Sequence, residues 1–224
     1  MGQTILFLGS VGSGKGTQSN WLKLYLQSKG HTVARICSSE MLSEEKKKKS
    51  EIGLIAIELD KKGLLTPDER MNPFVYERFL EASRHAEYVL FDGFPRTVPQ
   101  GEYFAERTAG ARTIDTVLHL TVGDEAVIER MNLRLYCNEC KASYHPETNP
   151  SSKGNLCESG HVLVRRDFDM PELIKARLMV YHAETEPLVP FYRQKGVLHD
   201  IDASLKPRDV EIAIRQVLKL EDIN

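Results

Sequence analysis

The sequence predicts an α/β protein built on a parallel β-sheet that is flanked by helices. Short apolar runs, which are typical of buried strands, alternate along the chain with longer segments of helical periodicity. The first run, at 4–8, leads directly into a glycine-rich turn and then into a helical segment. Strands that alternate with helices in this way are typical of crossover connections, which join parallel strands.

The predicted strands are short segments that are mainly apolar. They lie at 4–8, 32–36, 88–91, 117–120 and 197–201. The third run ends in an acidic residue, Asp92, and the second ends beside Cys37, which we expect to be a small buried side chain.

Helices are predicted where apolar residues recur at three- and four-residue spacing. The segments are 15–29, 40–62, 124–134 and 208–220, with a further helix that starts near 169–172. Another helix is predicted to start at Thr66 as the N-cap, with Pro67 and Glu69 in its first turn. Pro187 and Pro190 interrupt or divide the helix that starts near 169–172.

Composition narrows the class of protein. The 224 residues are 41% hydrophobic and 28% charged, as expected of a globular domain. Thirty Lys and Arg against thirty-two Asp and Glu argue against a bulk nucleic-acid binder, and no apolar run reaches about 18 residues. We therefore expect no nucleic-acid or membrane partner. Four cysteines, three of them closely spaced, favour a reducing, cytoplasmic compartment.

The glycine-rich turn between the first strand and the first helix is a candidate phosphate-binding loop. Its core reads Gly12, Ser13, Gly14, Lys15, Gly16 and Thr17. Glycines allow backbone amides to surround a phosphate, and the helix N-terminus adds positive potential. Lys15 places a cation on the β- and γ-phosphates, and the Thr17 hydroxyl is a candidate magnesium ligand. The predicted fold is therefore of the P-loop NTPase type.

A second motif, Asp92-Gly93-Phe94-Pro95-Arg96-Thr97, follows a buried strand. A carboxylate at the end of a strand near a P-loop can hold Mg²⁺, so Asp92 is the predicted magnesium residue. Arg96 offers a planar fork for a second phosphate group.

A third motif consists of Cys137, Cys140, Cys157 and His161 in a stretch that is poor in large aliphatic residues. This spacing suits a tetrahedral structural Zn²⁺. Zinc would supply folding energy that a segment without its own core lacks. Glu158 and His145 remain alternatives to His161 as the fourth ligand.

Three stretches in this order, GSVGSGKGTQ, GLLTPDE and DGFPRTVPQ, resemble the adenylate kinases and related nucleoside monophosphate kinases over about residues 4–220. The resemblance implies MgATP as the phosphoryl donor, a nucleoside monophosphate as the acceptor, and a monomer. It also implies a core, an acceptor-binding segment and a mobile lid. Their predicted limits are 1–37, 68–135 and 169–224 for the core, 38–67 for the acceptor-binding segment, and 136–168 for the lid. Some bacterial relatives carry a zinc-binding lid.

The resemblance also implies which arginines surround the transferred phosphoryl group. Arg130 and Arg134 are spaced i, i+4, which predicts one helix face, and Arg166 and Arg177 follow the lid. Their matches in the family line the transfer site, and the match of Arg130 covers the donor adenine. Arg165 is an alternative to Arg166, although spacing to Arg177 favours Arg166. Together with Lys15 and Arg96, the catalytic set is then Lys15, Arg96, Arg134, Arg166 and Arg177.

The predicted acceptor site departs from the family pattern at one position. The family's Thr-Gly-Asp-Met-Leu-Arg run is replaced by residues 38–43, so Ser38 keeps a hydroxyl but Ser43 stands where an arginine binds the AMP phosphate. A solvated lysine run at 46–49 follows, from which Lys46 or Lys47 is a candidate replacement for that charge.

The other predicted AMP-binding residues are Thr66, Gly93, Arg96 and Gln100. The Gln100 amide can pair with an adenine edge, which favours AMP as the acceptor. Because of Ser43, two alternatives stay open: a kinase for another nucleoside monophosphate, or a nucleotide-binding regulatory protein with weak turnover.

Overall fold

The structure, a computed structural model, describes residues 2–166 and 169–220. Asp167 and Phe168, the last two residues of the predicted lid, lie outside these residues, as do the first residue and the last four of the predicted core.

A parallel sheet of five strands forms the centre of the described chain. In spatial order the strands are β2 (Val33–Cys37), β3 (Tyr88–Asp92), β1 (Gln3–Leu8), β4 (Thr116–Thr121) and β8 (Leu198–Asp202). Every neighbouring pair is parallel. The α/β prediction is confirmed.

Helices cover both faces of this sheet because alternate strand residues point to opposite sides. The helices of the core are α1 (Lys15–Ser28), α4 (Asp68–Ser83), α5 (Val98–Arg107), α6 (Asp124–Leu133), α7 (Pro171–Val180), α8 (Leu188–Gln194) and α9 (Pro207–Leu218). Leu6 and Leu8 join a buried cluster with α4 and α5, whereas Ile5 and Phe7 join another with α1 and α9. A π-helical turn, Tyr181–Thr185, lies between α7 and α8. In the described part of the chain, none of the helices combines the length and the apolar character needed to cross a bilayer.

The predicted helix over 40–62 is wrong, because the structure has two helices there. They are α2 (Ser38–Lys48) and α3 (Glu51–Asp60). Lys49 takes a left-handed conformation with φ 54°, which ends α2, and the Ser50 side chain caps α3 by accepting a hydrogen bond from Gly53 N at 3.3 Å.

The predicted N-cap of the next helix is also wrong. Pro67 occupies the N-cap position and α4 begins at Asp68. Thr66, which is 8% exposed, therefore does not cap α4 and instead lines a cavity.

The segment between α6 and α7 contains a small antiparallel sheet. Its strands, β5 (Leu135–Cys137), β6 (Ser143–Tyr144) and β7 (Leu163–Val164), pair in the order β6-β5-β7. Its buried apolar cluster consists of Cys137, Cys157 and Leu163, packed against Leu135 and Tyr144. Such a small cluster stabilises the segment far less than the clusters of the main sheet stabilise the core.

Candidate active site

A cavity of about 660 Å³ lies at the carboxyl ends of the central strands. β1 pairs with β3, with Phe7 opposite Asp92, so the loop after β1 and the end of β3 meet at one edge of the sheet. The structure brings the predicted nucleotide-site residues to this cavity. Those that line it are Gly12, Ser13, Gly14, Lys15, Gly16, Thr17, Ser38, Thr66, Asp92, Gly93, Arg96, Gln100, Arg130, Arg134, Arg166 and Arg177.

The glycine-rich loop wraps around the amine of Lys15. Gly14 has φ 94° and is the N-cap of α1, a conformation that side-chain-bearing residues rarely adopt. Lys15 Nζ donates to the carbonyl oxygens of Gly9 at 2.8 Å and Ser10 at 2.6 Å. Burial lowers the pKa of Lys15 to about 8, although the nearby Asp92 carboxylate opposes the shift. A phosphate group at the N-terminus of α1 would stabilise the charged amine.

Among the described residues that line the cavity, basic side chains outnumber carboxylates. Burial lowers the pKa of Arg177 to about 10, and the neighbouring Arg96 and Arg134 lower it further than burial alone would. The pKa of Arg166 is lowered by burial and by Arg134, and its guanidinium lies 4.3 Å from the centre of the Tyr136 ring. Guanidinium groups that repel one another in this way are stabilised by a bound polyanion.

Arg134 lies one residue beyond the end of α6, so the prediction that it shares a helix face with Arg130 is wrong. Its backbone is extended, with φ −65° and ψ 132°, and its guanidinium contacts the carboxylate of Asp169. Arg130 instead donates to the backbone oxygens of Ala203 at 2.7 Å and Ser204 at 2.9 Å. Arg130 is thereby fixed beside the loop that follows β8.

The structure separates the two arginines, Arg165 and Arg166, in the segment between α6 and α7. Arg165 donates to the backbone oxygen of Asn132, at the end of α6. Arg166 turns into the cavity and stacks on Tyr136. The geometry thus favours Arg166, the choice that sequence spacing also favoured.

The residues predicted for the acceptor form a connected group. Ser38 Oγ donates to Gly93 O at 2.7 Å, and Gly93 has φ 84°. A Cβ atom on Gly93 would lie 2.6 Å from Ser38 Oγ, so a side chain there would displace the hydroxyl. Gln100, 2% exposed, donates from Nε2 to Asp68 at 2.7 Å and accepts from Arg96 N at 2.7 Å. Pairing with an adenine edge would therefore require Gln100 to exchange one of these partners.

Ser43 and Lys46 both line the cavity, one turn apart on α2. The Lys46 amine is paired with the Asp60 carboxylate of α3. Lys47, in contrast, is exposed to solvent. Of the two candidates for the missing phosphate-binding charge, Lys46 is thus the one at the cavity.

Asp92 has partners that sequence reasoning missed. Its Oδ2 atom accepts a hydrogen bond from Arg35 Nη2 at 2.8 Å and lies 3.3 Å from Ser19 Oγ, the donor of a second bond. Arg35 also donates to Glu40. The available signal was a single arginine within an otherwise apolar strand, VARIC.

The oxygen atoms at this end of the cavity fit Mg²⁺. Asp92, 7% exposed, and Thr17 both line the cavity beside Lys15. Among the described residues, the hydrogen bonds to the Asp92 side chain all fall on Oδ2, which leaves Oδ1 for an ion or its water. Carboxylate and hydroxyl oxygens are hard ligands of the kind that Mg²⁺ prefers.

A second cluster of ligand atoms lies in the segment between α6 and α7. The Sγ atoms of Cys137, Cys140 and Cys157 and a ring nitrogen of His161 all lie within 4.8 Å of one another. The sulfurs of Cys140 and Cys157 are 3.7 Å apart, and His161 Nδ1 is 3.3 Å from Cys140 Sγ. A tetrahedral zinc ion holds sulfur and nitrogen ligands about 3.5–3.8 Å apart, so this set fits zinc.

The alternative fourth ligands are not part of this cluster. Glu158 accepts from Ser152 N at 2.9 Å, and His145 Nδ1 accepts from Glu147 N at 3.2 Å and Thr148 N at 3.3 Å. Of the three candidates, His161 is the one whose ring nitrogen lies among the three sulfurs.

A parallel sheet whose phosphate-binding loop faces buried arginines is the architecture of the P-loop phosphotransferases. The family model described as adenylate kinase matches residues 7–197. The chain is 37% identical over 216 residues to an adenylate kinase of Lachnospira eligens, covering 96% of this chain and 99% of that protein. It is 38% identical over 218 residues to one of Methanosarcina barkeri, covering 96% and 98%. For one of Archaeoglobus fulgidus the identity is 36% over 209 residues, with 92% of each chain covered. The chain therefore belongs to the adenylate kinase family.

Proposed function

We propose that this protein transfers the γ-phosphoryl group of MgATP to AMP, reversibly, and forms two molecules of ADP. The observation that carries the proposal is the surplus of basic over acidic side chains among the described residues that line the cavity beside the phosphate-binding loop. A reaction that brings two nucleotides together concentrates several negative charges, and preorganised cations stabilise that arrangement.

The donor occupies the side of the cavity formed by the loop after β1. The backbone amides of Gly12–Gly16 and the Lys15 amine hold the β- and γ-phosphates, and Lys15 exchanges its loop carbonyl partners for phosphate oxygens. Arg130, anchored on Ala203 and Ser204, forms part of the wall against the adenine.

Lys15, Arg96, Arg134, Arg166 and Arg177 carry the transfer step. Phosphoryl transfer depends on positioning and on electrostatic stabilisation, so a covalent intermediate on a side chain is not needed. The chain holds the two nucleotides in line and supplies charge to the transferred group. We assign the positions nearest the transferred group to Lys15, Arg96 and Arg177. In the structure, Arg96 and Arg177 contribute to the lowered pKa of Lys15, and Arg96 contributes to that of Arg177.

Asp92 and Thr17 would hold the Mg²⁺ that enters with ATP. The metal supplies charge neutralisation for the β- and γ-phosphates. Asp92 contributes its Oδ1 side and Thr17 its hydroxyl.

The acceptor side consists of residues on α2 and at the end of β3. Ser38, Gly93 and Arg96 would bind the phosphate of AMP, while Thr66 and Gln100 would face the base. Lys46 would leave the Asp60 carboxylate and bind the AMP phosphate instead. It would thereby supply the positive charge that Ser43 lacks.

Residues 38–67 and 136–168 would be the acceptor-binding segment and the lid, which close over the nucleotides and exclude water. One zinc ion bound by Cys137, Cys140, Cys157 and His161 would cross-link and stabilise the lid. We further propose that the protein acts as a monomer in the cytoplasm.

The test is ADP production from MgATP with AMP, dAMP, GMP, CMP and UMP, each titrated to millimolar concentrations. Turnover that requires AMP or dAMP supports the proposal. A preference for another monophosphate would show that residues 38–43 have changed the acceptor, and turnover with none of them, together with tight MgATP binding, would contradict an enzymatic role.

A further inference from the structure

Arg35 holds three elements of the active site together from the middle of β2. Its Nε donates to Ser19 Oγ of α1, its Nη1 to Glu40 Oε1 of α2, and its Nη2 to Asp92 Oδ2 of β3, each at 2.8 Å. The Arg35 side chain is 11% exposed. All three bonds use the planar fork of the guanidinium, which a lysine cannot reproduce.

The charge of Arg35 is permanent in this setting. Burial alone would lower its pKa, but the Asp92 and Glu40 carboxylates outweigh burial and raise it above the ordinary arginine value. Arg35 therefore places a full positive charge directly on one oxygen of the carboxylate to which the proposed function assigns Mg²⁺.

Two cations then share one carboxylate. The Arg35 guanidinium occupies the Oδ2 side of Asp92, and Oδ1 remains for the metal or its water. A carboxylate that is already paired attracts a second cation less strongly. Arg35 therefore reduces the binding free energy that Mg²⁺ gains from Asp92. Repulsion between the guanidinium and the divalent ion also weakens the binding of Mg²⁺ at Asp92.

We propose that Arg35 is a built-in counter-charge for Asp92 that shares this carboxylate with the Mg²⁺ of the nucleotide and so weakens the coupling between Mg²⁺ and nucleotide binding. The inference rests on the proposed role of Asp92. It makes Arg35 a residue that sets how strongly nucleotide affinity depends on magnesium.

The measurement is the affinity for an ATP analogue with an imido link between its β- and γ-phosphates, determined by calorimetry in Mg²⁺ and again in EDTA. The ratio of the two dissociation constants is the coupling factor between metal and nucleotide. We expect Arg35→Gln to raise this factor about ten-fold, because the competing charge is gone. Arg35→Lys, which keeps the charge, should leave it near the wild-type value.

Arg78→Gln is the matched control, since Arg78 pairs with Glu81 on the exposed surface of α4. It should not change the factor. If Arg35→Gln fails to fold, the double variant Arg35→Gln/Glu40→Gln removes one cation and one anion together, and the same rise is expected.

A coupling factor that stays constant or falls in folded Arg35→Gln or in the double variant would overturn the inference. A constant factor means that Arg35 is purely structural, and a fall means that it orients Asp92 for the metal. Asp92→Asn separates this failure from failure of the premise. If Asp92→Asn lowers the factor while loss of Arg35 does not raise it, the inference alone is wrong; if Asp92→Asn has no effect, the magnesium assignment fails as well.

Discussion

The guanidinium of Arg134 donates two hydrogen bonds to the carboxylate of Asp169, from Nε at 2.9 Å and from Nη2 at 2.6 Å. Asp169 is 2% exposed. The two residues lie at opposite ends of the segment that carries the small antiparallel sheet, next to α6 and α7. The ion pair therefore joins the points at which this segment leaves and re-enters the core, and it fixes one of the cavity arginines.

Replacement of Asp169 by Asn should destabilise the protein. It leaves the Arg134 guanidinium without its charged partner, and removal of one partner of a buried pair costs about 3–5 kcal/mol. The free energy of unfolding from urea titrations measures this loss. Glu81→Gln, which removes the exposed partner of Arg78, is the control and should cost less than about 1 kcal/mol. Equal losses in the two variants would contradict a structural role for the Arg134–Asp169 pair.

A histidine in the π-helical turn should make stability depend on pH. When protonated, His182 donates from Nδ1 to Glu186 at 2.8 Å and from Nε2 to Asp124 at 3.0 Å, and these bonds raise its pKa. A raised pKa in the folded state means that the stabilisation is fully present below about pH 6.5 and is lost as pH rises through the folded-state pKa. Because His182, Asp124 and Glu186 are all about half exposed, the change in the free energy of unfolding should be below about 1 kcal/mol.

Thermal unfolding of the wild type and of His182→Gln between pH 5 and pH 9 measures this dependence. The difference in stability between the two should be largest at low pH and should shrink as pH rises. A difference that grows with pH would contradict the assignment.

The main sheet could be predicted from the sequence because its central strands β1 and β3 are nearly continuous apolar runs. Each predicted strand lies within two residues of the observed one at either end. The break between α2 and α3 could not, because helical periodicity continues across it while the left-handed Lys49 and the Ser50 cap interrupt the backbone. Periodicity reports which face is buried and not whether the backbone bends.

The candidate site shows the same difference between features that are local in the sequence and contacts between residues that are far apart in it. The phosphate-binding loop is contiguous, so its residues could be predicted from spacing alone. The contact of Arg35 with Asp92 joins residues 57 positions apart on neighbouring strands, and only the strand order brings them together. Likewise, the sequence left Arg165 and Arg166 as alternatives, because the direction of each side chain depends on whether it meets Asn132 or Tyr136.

Lys46 should set the affinity for the acceptor. Lys46→Gln is expected to raise the KM for AMP about ten-fold, the lower end of what one charge-assisted hydrogen bond to phosphate contributes. The KM for MgATP should change little. Lys47→Gln is the matched control, because Lys47 is the adjacent, exposed lysine of the same helix.

Ser43→Arg supplies the complementary test. An arginine at this position lines the same cavity and should lower the KM for AMP in the Lys46→Gln background. If Lys46→Gln leaves the KM for AMP unchanged, or if Lys47→Gln raises it equally, the charge of Lys46 does not bind the acceptor phosphate.

Removal of zinc should loosen the segment between α6 and α7, which is the proposed lid, and leave the main sheet intact. The buried apolar residues of this segment are few, so a structural metal bound by the ligand cluster would contribute much of its folding energy. Protein prepared without chelator should contain about one zinc per chain, which elemental analysis measures. Cys157→Ser should lose the metal and show faster amide hydrogen exchange across residues 136–166, with unchanged protection in β1 and β3. Cys37→Ala, which removes the cysteine that lies outside the cluster, should retain the metal. Full zinc content in Cys157→Ser, or equal metal loss in both variants, would show that these sulfurs do not form the site.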